Sequence, residues 1–229
     1  DPNYALNSKE KSINLWEIPN NKETTELNIE KVDSADRSKK LPNVEFVLKS
    51  SVTNKYVRIK GFGTGDIGSD GFMSNARGTV KILDSSNIHQ TVVMDYVDDI
   101  TKATKFITDS DGKIKIENLV KKNNGKDITY TAIETYNPHY GYYNSTTVTW
   151  EGDNVTTGGV ITPSKSTATA VATNQKNTGE FKVTKVDDMD ESKKLSGVRF
   201  VLRSSAGSGN YVKIKATDGN NITTGTDGW

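Results

Sequence analysis

Residues Lys31–Ser51 read KVDSADRSKKLPNVEFVLKSS, and residues Lys185–Ser205 read KVDDMDESKKLSGVRFVLRSS. About two-thirds of the positions are identical, so the chain is built from repeats. Working backwards, PNNKETTELNIE before Lys31 aligns with TNQKNTGEFKVT before Lys185, which sets Asn20 opposite Asn174. Working forwards, KYVRIK from Lys55 answers NYVKIK from Asn210, and Asp227-Gly228-Trp229 falls opposite Asp70-Gly71-Phe72. The alignment predicts three parts: the last strand of a preceding repeat over 1–22, one complete domain over 23–178, and the N-terminal part of a following repeat over 179–229.

Composition sets the fold class. Hydrophobic content is only 33%, but Thr, Val, Ile, Tyr and Gly are abundant, as suits half-buried strands and tight turns. An all-β fold is expected. The 30 basic and 29 acidic residues are interspersed, leaving no basic footprint for nucleic acid or an anionic membrane. No apolar run is long enough to span a bilayer, and Asp1-Pro2-Asn3-Tyr4 does not begin a signal peptide, so targeting signals are expected elsewhere. With no cysteine, disulfides, thiol catalysis and thiolate metal sites are all excluded.

Alternation predicts about eight short strands, over 27–32, 44–49, 55–59, 79–83, 114–117, 128–135, 146–150 and 167–173. Gly61-Phe62-Gly63-Thr64-Gly65, Ser69-Asp70-Gly71, Ser110-Asp111-Gly112 and Asn123-Asn124-Gly125 read as turns between antiparallel strands. The stretch VMDYVDDITKATKF is less periodic and fits one or two helical turns. Asp109-Ser110-Asp111-Gly112 starts like a calcium loop but lacks the closing glutamate, so a hairpin turn is expected there. His89 and His139 have no acidic or metal-ligand cluster in sequence and read as loop residues. No cofactor is expected.

Three strands carry a polar residue where their apolar residues point. Side chains alternate along a strand, so Lys31 shares a face with Leu27 and Ile29, and Glu134 shares one with Ile128, Tyr130 and Ala132. Asn174 likewise follows Ala168, Ala170 and Ala172. The second copy repeats the first pattern with Phe181, Val183 and Lys185. Buried amine, carboxyl and carboxamide groups are costly unless they satisfy one another. In one arrangement they condense. Burial favours a neutral Lys31 amine and a protonated Glu134, the amine attacks the Asn174 carbonyl polarised by the Glu134 proton, and ammonia leaves. In the other, Lys31 reaches solvent at the strand end, Glu134 pairs with it and Asn174 caps a turn. Alternation alone favours the second.

The ordered segments KVD, LPNVEFVL, FITDSDGKIKIENL, YTAIETYNPHYGYY and AVATNQKNTGEFKVTKVD resemble the Cna B-type domain of Gram-positive adhesin stalks and SpaA-like pilins. The family's first-strand lysine before an acidic residue is matched by Lys31, before Val32 and Asp33. Its YxLxExxxPxGY-like segment is matched by Glu134 with Pro138, Gly141 and Tyr142, with one extra residue between the proline and the glycine. Its last-strand acceptor is matched by Asn174. The resemblance covers roughly residues 24–178 and implies a Greek-key, prealbumin-like (reverse Ig-like) β-sandwich in which Lys31 and Asn174 form a spontaneous isopeptide bond assisted by Glu134. The stretch 52–105 is longer than in the compact form of the family and reads as an insertion. Lys185 is the corresponding lysine of the next copy and Asn20 the corresponding acceptor of the preceding one.

The resemblance further implies a stalk module of a cell-surface adhesin, extracellular and anchored to the cell wall. Neighbouring repeats of the same chain are its partners, and the self-condensation is single-turnover chemistry rather than enzyme catalysis. The alternative is an adhesin module that binds host matrix protein or glycan through Phe62, Phe72 and Tyr96 of the 52–105 insertion. A pilin shaft subunit ranks below both, because the chain shows no pilin-linking lysine motif.

Overall fold

The computed structural model describes residues 23–83, 92–123, 125–139, 141–142, 148–163, 167–176, 178–205 and 210–214. The chain divides into two compact units, Asp1–Thr178 and Gly179–Trp229. In the first unit the strands are, in order, β1 (Thr24–Asp33), β2 (Glu45–Ser50), β3 (Tyr56–Ile59), β4 (Gly61–Thr64) and β5 (Asn75–Ile82). They continue with β6 (Met94–Val97), β7 (Lys105–Ile107), β8 (Lys113–Val120), β9 (Lys122–Asn123) and β10 (Lys126–Asp127). The last are β11 (Tyr130–Tyr136), β12 (Val148–Glu151), β13 (Val155–Thr156), β14 (Val160–Ile161) and β15 (Thr167–Asn174). The fold is all-β, as composition implies.

Thirteen strands are hydrogen-bonded in one sheet along the path β12-β15-β1-β8-β5-β7-β2-β11-β14-β13, with β3, β4 and β6 as side branches. Folded over at β5, it makes two layers, β12-β15-β1-β8 and β7-β2-β11-β14-β13, that share one apolar core. The apolar faces fill the space between the layers. Leu27, Ile29, Ile114, Ile116, Ala168 and Ala170 from the first layer join Phe46, Leu48, Tyr130 and Ala132 from the second in one buried cluster. Phe46 on β2 meets Trp150 on β12 edge to face, with ring centroids 5.8 Å apart. At about 25 cal/mol per Å² of buried apolar surface, this shared core is the main stabilising term.

The first and last strands are neighbours. β1 and β15 pair in parallel, in a register that sets Lys31 against Ala172 and Asp33 against Asn174. β11 pairs antiparallel with β2, and its register shifts between Glu134 and Tyr136. Such a bulge re-aims the side chains beside it.

Several expectations for the 52–112 region are corrected. Gly61–Thr64 is a strand, β4, rather than a turn, and it pairs antiparallel with β5. Its glycines are needed because backbone approaches closely: a side chain at Gly61 would come within 2.6 Å of the Lys81 carbonyl oxygen. The less periodic stretch holds two strands, β6 and β7, and only a single 3-10 turn at Ile100–Lys102, capped by the Asp99 side chain. Ser110-Asp111-Gly112 is a turn but not a hairpin. β7 and β8 both run parallel to β5, against Asn75–Arg77 and Thr79–Lys81 respectively, so the turn steps the chain from one layer to the other without reversing it. The Asp109 side chain holds this step by accepting from the backbone N–H groups of Asp111 and Lys113, at 2.9 Å each. Among the described residues fifteen strands stand where about eight were expected, because short pairings of two to four residues carry no readable alternation.

In the second unit the KVD turn forms as in the first. Leu195 N–H donates to the Lys185 carbonyl at 2.9 Å and Asp187 N–H to Lys193 at 3.0 Å, matching Leu41 to Lys31 and Asp33 to Lys39. Phe181 and Val183 are exposed, unlike Leu27 and Ile29. No counterpart of β8 or β15 occurs among the described residues of this unit, so its apolar alternation has no facing layer there. Residues 1–22, including Asn20, and His89 lie outside the described residues.

Candidate functional site

Lys31 is 0% exposed and Asn174 is 0% exposed, which settles that neither side chain reaches solvent. Backbone bonds fix both strand ends. Lys31 N–H donates to the Gly112 carbonyl at 2.7 Å, Leu41 N–H donates to the Lys31 carbonyl at 3.0 Å, and Ser34 N–H donates to the Asn174 carbonyl at 3.0 Å. With Lys31 opposite Ala172, strand alternation puts Asn174 on the Lys31 face, one step diagonally along the parallel pair. Glu134 arrives from the other layer.

The three predicted residues are brought together. Lys31 Nζ lies 2.9 Å from Glu134 Oε2, and Asn174 Nδ2 donates to Glu134 Oε1 at 3.3 Å. The Asn174 Oδ1 atom is buried and accepts no hydrogen bond among the described residues. Burial pushes the Lys31 pKa down, against the opposing pull of the Glu134 carboxylate and its hydrogen bond. The Glu134 carboxylate is the proton acceptor nearest the buried amine. Glu134 is therefore placed against the amine on one side and the carboxamide nitrogen on the other. This corrects the expected contact, because the carboxyl group addresses the nitrogen that would leave rather than the carbonyl oxygen.

Residues after Glu134 latch this end of the domain. Tyr142 O–H donates to Asp33 Oδ2, and Lys39 Nζ donates to Tyr142 Oη at 2.8 Å. The hydrogen bond from Tyr142 is the main cause holding the Asp33 carboxyl below its usual range. His139 Nε2 donates to the Pro42 carbonyl at 2.7 Å, so the ring has a structural partner. The extra residue before Gly141 leaves Tyr142 within reach of the β1 end.

One member of the site was not anticipated. Asn137 is 3% exposed, and its Nδ2 donates to Glu134 Oε1 at 3.4 Å. A polar residue three positions after an inward-facing glutamate, directly before a proline, is the only signal the sequence offers, and it looks like an ordinary strand terminus.

In the 52–105 stretch, Phe72 is covered by Arg58 and Lys60, whose cationic groups lie 4.1 and 4.8 Å from its ring centroid. Tyr96 is half-buried, while Phe62 is exposed. No group of three or more metal-binding side chains occurs among the described residues.

No family model matches the chain, and no curated protein matches it. Among solved structures, the chain is similar to the C-terminal domain of shaft pilin SpaA from Lactobacillus rhamnosus GG, with 22% identity, a TM-score of 0.43, and coverage of 68% of this chain and 100% of that one. Against the shaft pilin SpaA of the same organism the values are 21% identity and a TM-score of 0.45, and the match covers 69% of this chain and 50% of that chain. A third is the group B streptococcus pilus 2b backbone protein, at 16% identity and a TM-score of 0.40, covering 68% of this chain and 42% of that chain.

Proposed function

We propose that the domain over 23–178 is a structural stalk module of a Gram-positive cell-surface protein, locked by a self-formed isopeptide bond between Lys31 and Asn174. One observation carries this reading. A desolvated Lys31 amine lies 2.9 Å from one oxygen of Glu134, whose other oxygen lies 3.3 Å from the Asn174 carboxamide nitrogen.

The step balances without any other reactant. Lys31 passes a proton to Glu134, and the neutral Nζ attacks Cγ of Asn174 to form a tetrahedral intermediate. Glu134 returns its proton to Nδ2, the Cγ–Nδ2 bond breaks, and ammonia departs carrying the proton released from Nζ, as ammonium. An amide between the two side chains remains, and Glu134 recovers its starting state. Each molecule reacts once, so this is maturation rather than enzyme turnover.

Joining β1 to β15 closes a loop of about 143 residues, which on the chain-entropy account of cross-links stabilises the fold by at most about 5 kcal/mol. A thiol-free link suits an exposed surface protein with no cysteine. Partners along the stalk are the neighbouring repeats, of which the KVD turn at Lys185 belongs to the next.

Intact mass tests the reading. Purified wild type is expected to weigh one ammonia less than its sequence, and Glu134→Ala and Asn174→Ala to retain the full sequence mass. A wild-type mass equal to the sequence mass overturns it.

A further inference from the structure

We infer that Asn137 is a positioning residue for the cross-linking step, holding Glu134 so that one oxygen faces Lys31 while the other takes both carboxamides; this rests on the isopeptide reading above. Asn137 and Asn174 donate their Nδ2 groups to the same atom, Glu134 Oε1, at 3.4 and 3.3 Å. Glu134 Oε2 is left to Lys31 at 2.9 Å. The carboxyl plane is thereby fixed at both ends. Among the described residues, Oε1 without Asn137 would be held only by Asn174, the group that is consumed.

The rest of Asn137 is engaged in a way that fixes its direction. Its Oδ1 accepts from His139 N–H at 3.1 Å, closing a turn around Pro138. The amide oxygen is thus committed to the backbone and the amide nitrogen to Glu134. Asn137 is buried, and the β-bulge between Glu134 and Tyr136 lies just ahead of it. Bulge, turn and side chain together set where the carboxyl group sits.

The division of labour between the two carboxamides follows from their strands. Asn174 shares a face with Lys31 on adjacent parallel strands, whereas Asn137 sits beyond the end of β11 in the other layer. Asn174 is the acceptor and loses its nitrogen. Asn137 keeps its nitrogen, and its N–H holds Oε1 in place, which keeps Oε2 turned to Lys31 as the proton acceptor. A charge-assisted hydrogen bond of this kind corresponds to about tenfold or more in rate.

Asn137→Asp separates positioning from mere turn formation. It keeps the oxygen that accepts from His139 N–H but sets a second carboxylate against Glu134 Oε1, and lowering the pH restores a donor by protonating one of the two. Intact mass over time, with tandem mass mapping of the cross-link, reads the reaction in the purified chain; Glu134→Ala, which cannot react, is the folded reference for near-UV circular dichroism. Expected is complete ammonia loss in wild type with the link at Lys31–Asn174. Asn137→Ala is expected to be at least tenfold slower. Asn137→Asp, with a folded-reference spectrum, is expected to be slow at pH 7 and to speed up toward pH 5. Wild-type rates in both variants overturn the positioning role while leaving the bond in place. A link mapped to Asn137 overturns it by making that residue an acceptor. A wild type with no ammonia loss overturns the underlying reading instead.

Discussion

Among the described residues Lys31 is the one lysine in the set of largest fully buried side chains, and its environment makes it titrate unlike an ordinary lysine. In Asn174→Ala the amine has no acceptor and stays free to ionise. Its folded pKa lies below the usual 10.5, chiefly through burial. At pH values below the folded pKa both states hold the proton, and the cost of the buried charge is fully present. As the pH rises past the folded pKa toward 10.5, the native state releases a proton that the unfolded state still binds, so stability rises. Urea unfolding of Asn174→Ala against Lys31→Met/Asn174→Ala is expected to show a stability gap that narrows between pH 7 and 10.5. A gap that stays constant would show that Lys31 titrates normally. The inward direction of all three residues was readable from alternation, since each sits two positions beyond a buried apolar residue. What alternation cannot give is the distance between layers, and it was that distance, set by the core, that turned three inward polar groups into one contact set. Asn137 was illegible because it lies past its strand, where period two no longer applies.

At the scale of elements, the turn between β7 and β8 decides how Lys31 is seated. Gly112 has φ +71°, and a side chain there would meet the Lys31 carbonyl oxygen at 2.7 Å and Leu41 N at 3.2 Å. Gly112→Ala in the Glu134→Ala background, where no covalent bond masks the effect, is expected to lose about 1–3 kcal/mol in urea unfolding. A loss below 0.5 kcal/mol, on the order of a surface substitution, would show the turn to be compliant. The sequence marked this turn through Ser110-Asp111-Gly112 but suggested a reversal. Turn residues report a local bend, whereas the choice between hairpin and layer step depends on β5, which pairs with both strands across sequence separations of 30 and 36 residues. Gly78, at φ +62° between those two pairings, leaves room there: a side chain at this position would meet the Asp109 side chain at 3.2 Å. The glycines of β4 misled for a related reason, since they permit close backbone pairing with β5 as well as turns.

For the whole first unit, a link from Lys31 to Asn174 divides the chain into a part that tension can extend and a part it cannot. In single-molecule pulling, Glu134→Ala is expected to unfold with about 500 Å more extension than wild type, the contour length of the roughly 143 residues enclosed. Equal extensions would show that wild type carries no such link. Repetition and class were readable at this scale, because duplicated segments and Thr- and Val-rich alternation are properties of the sequence itself. The exchange of strands between layers was not, as it rests on pairings between distant segments. The parallel pairing of β1 with β15 has a mechanical meaning of its own. Thr24 begins β1 and Asn174 ends β15, and in a parallel pair those two points lie at opposite ends of the ladder. Pulling on them slides the strands lengthwise, so the register from Glu26–Thr167 to Asp33–Asn174 is loaded in shear, all rungs together, instead of being unzipped one at a time. Shear loading resists stretching without any cross-link, so on the proposed reading the condensation has time to finish on a chain already under load.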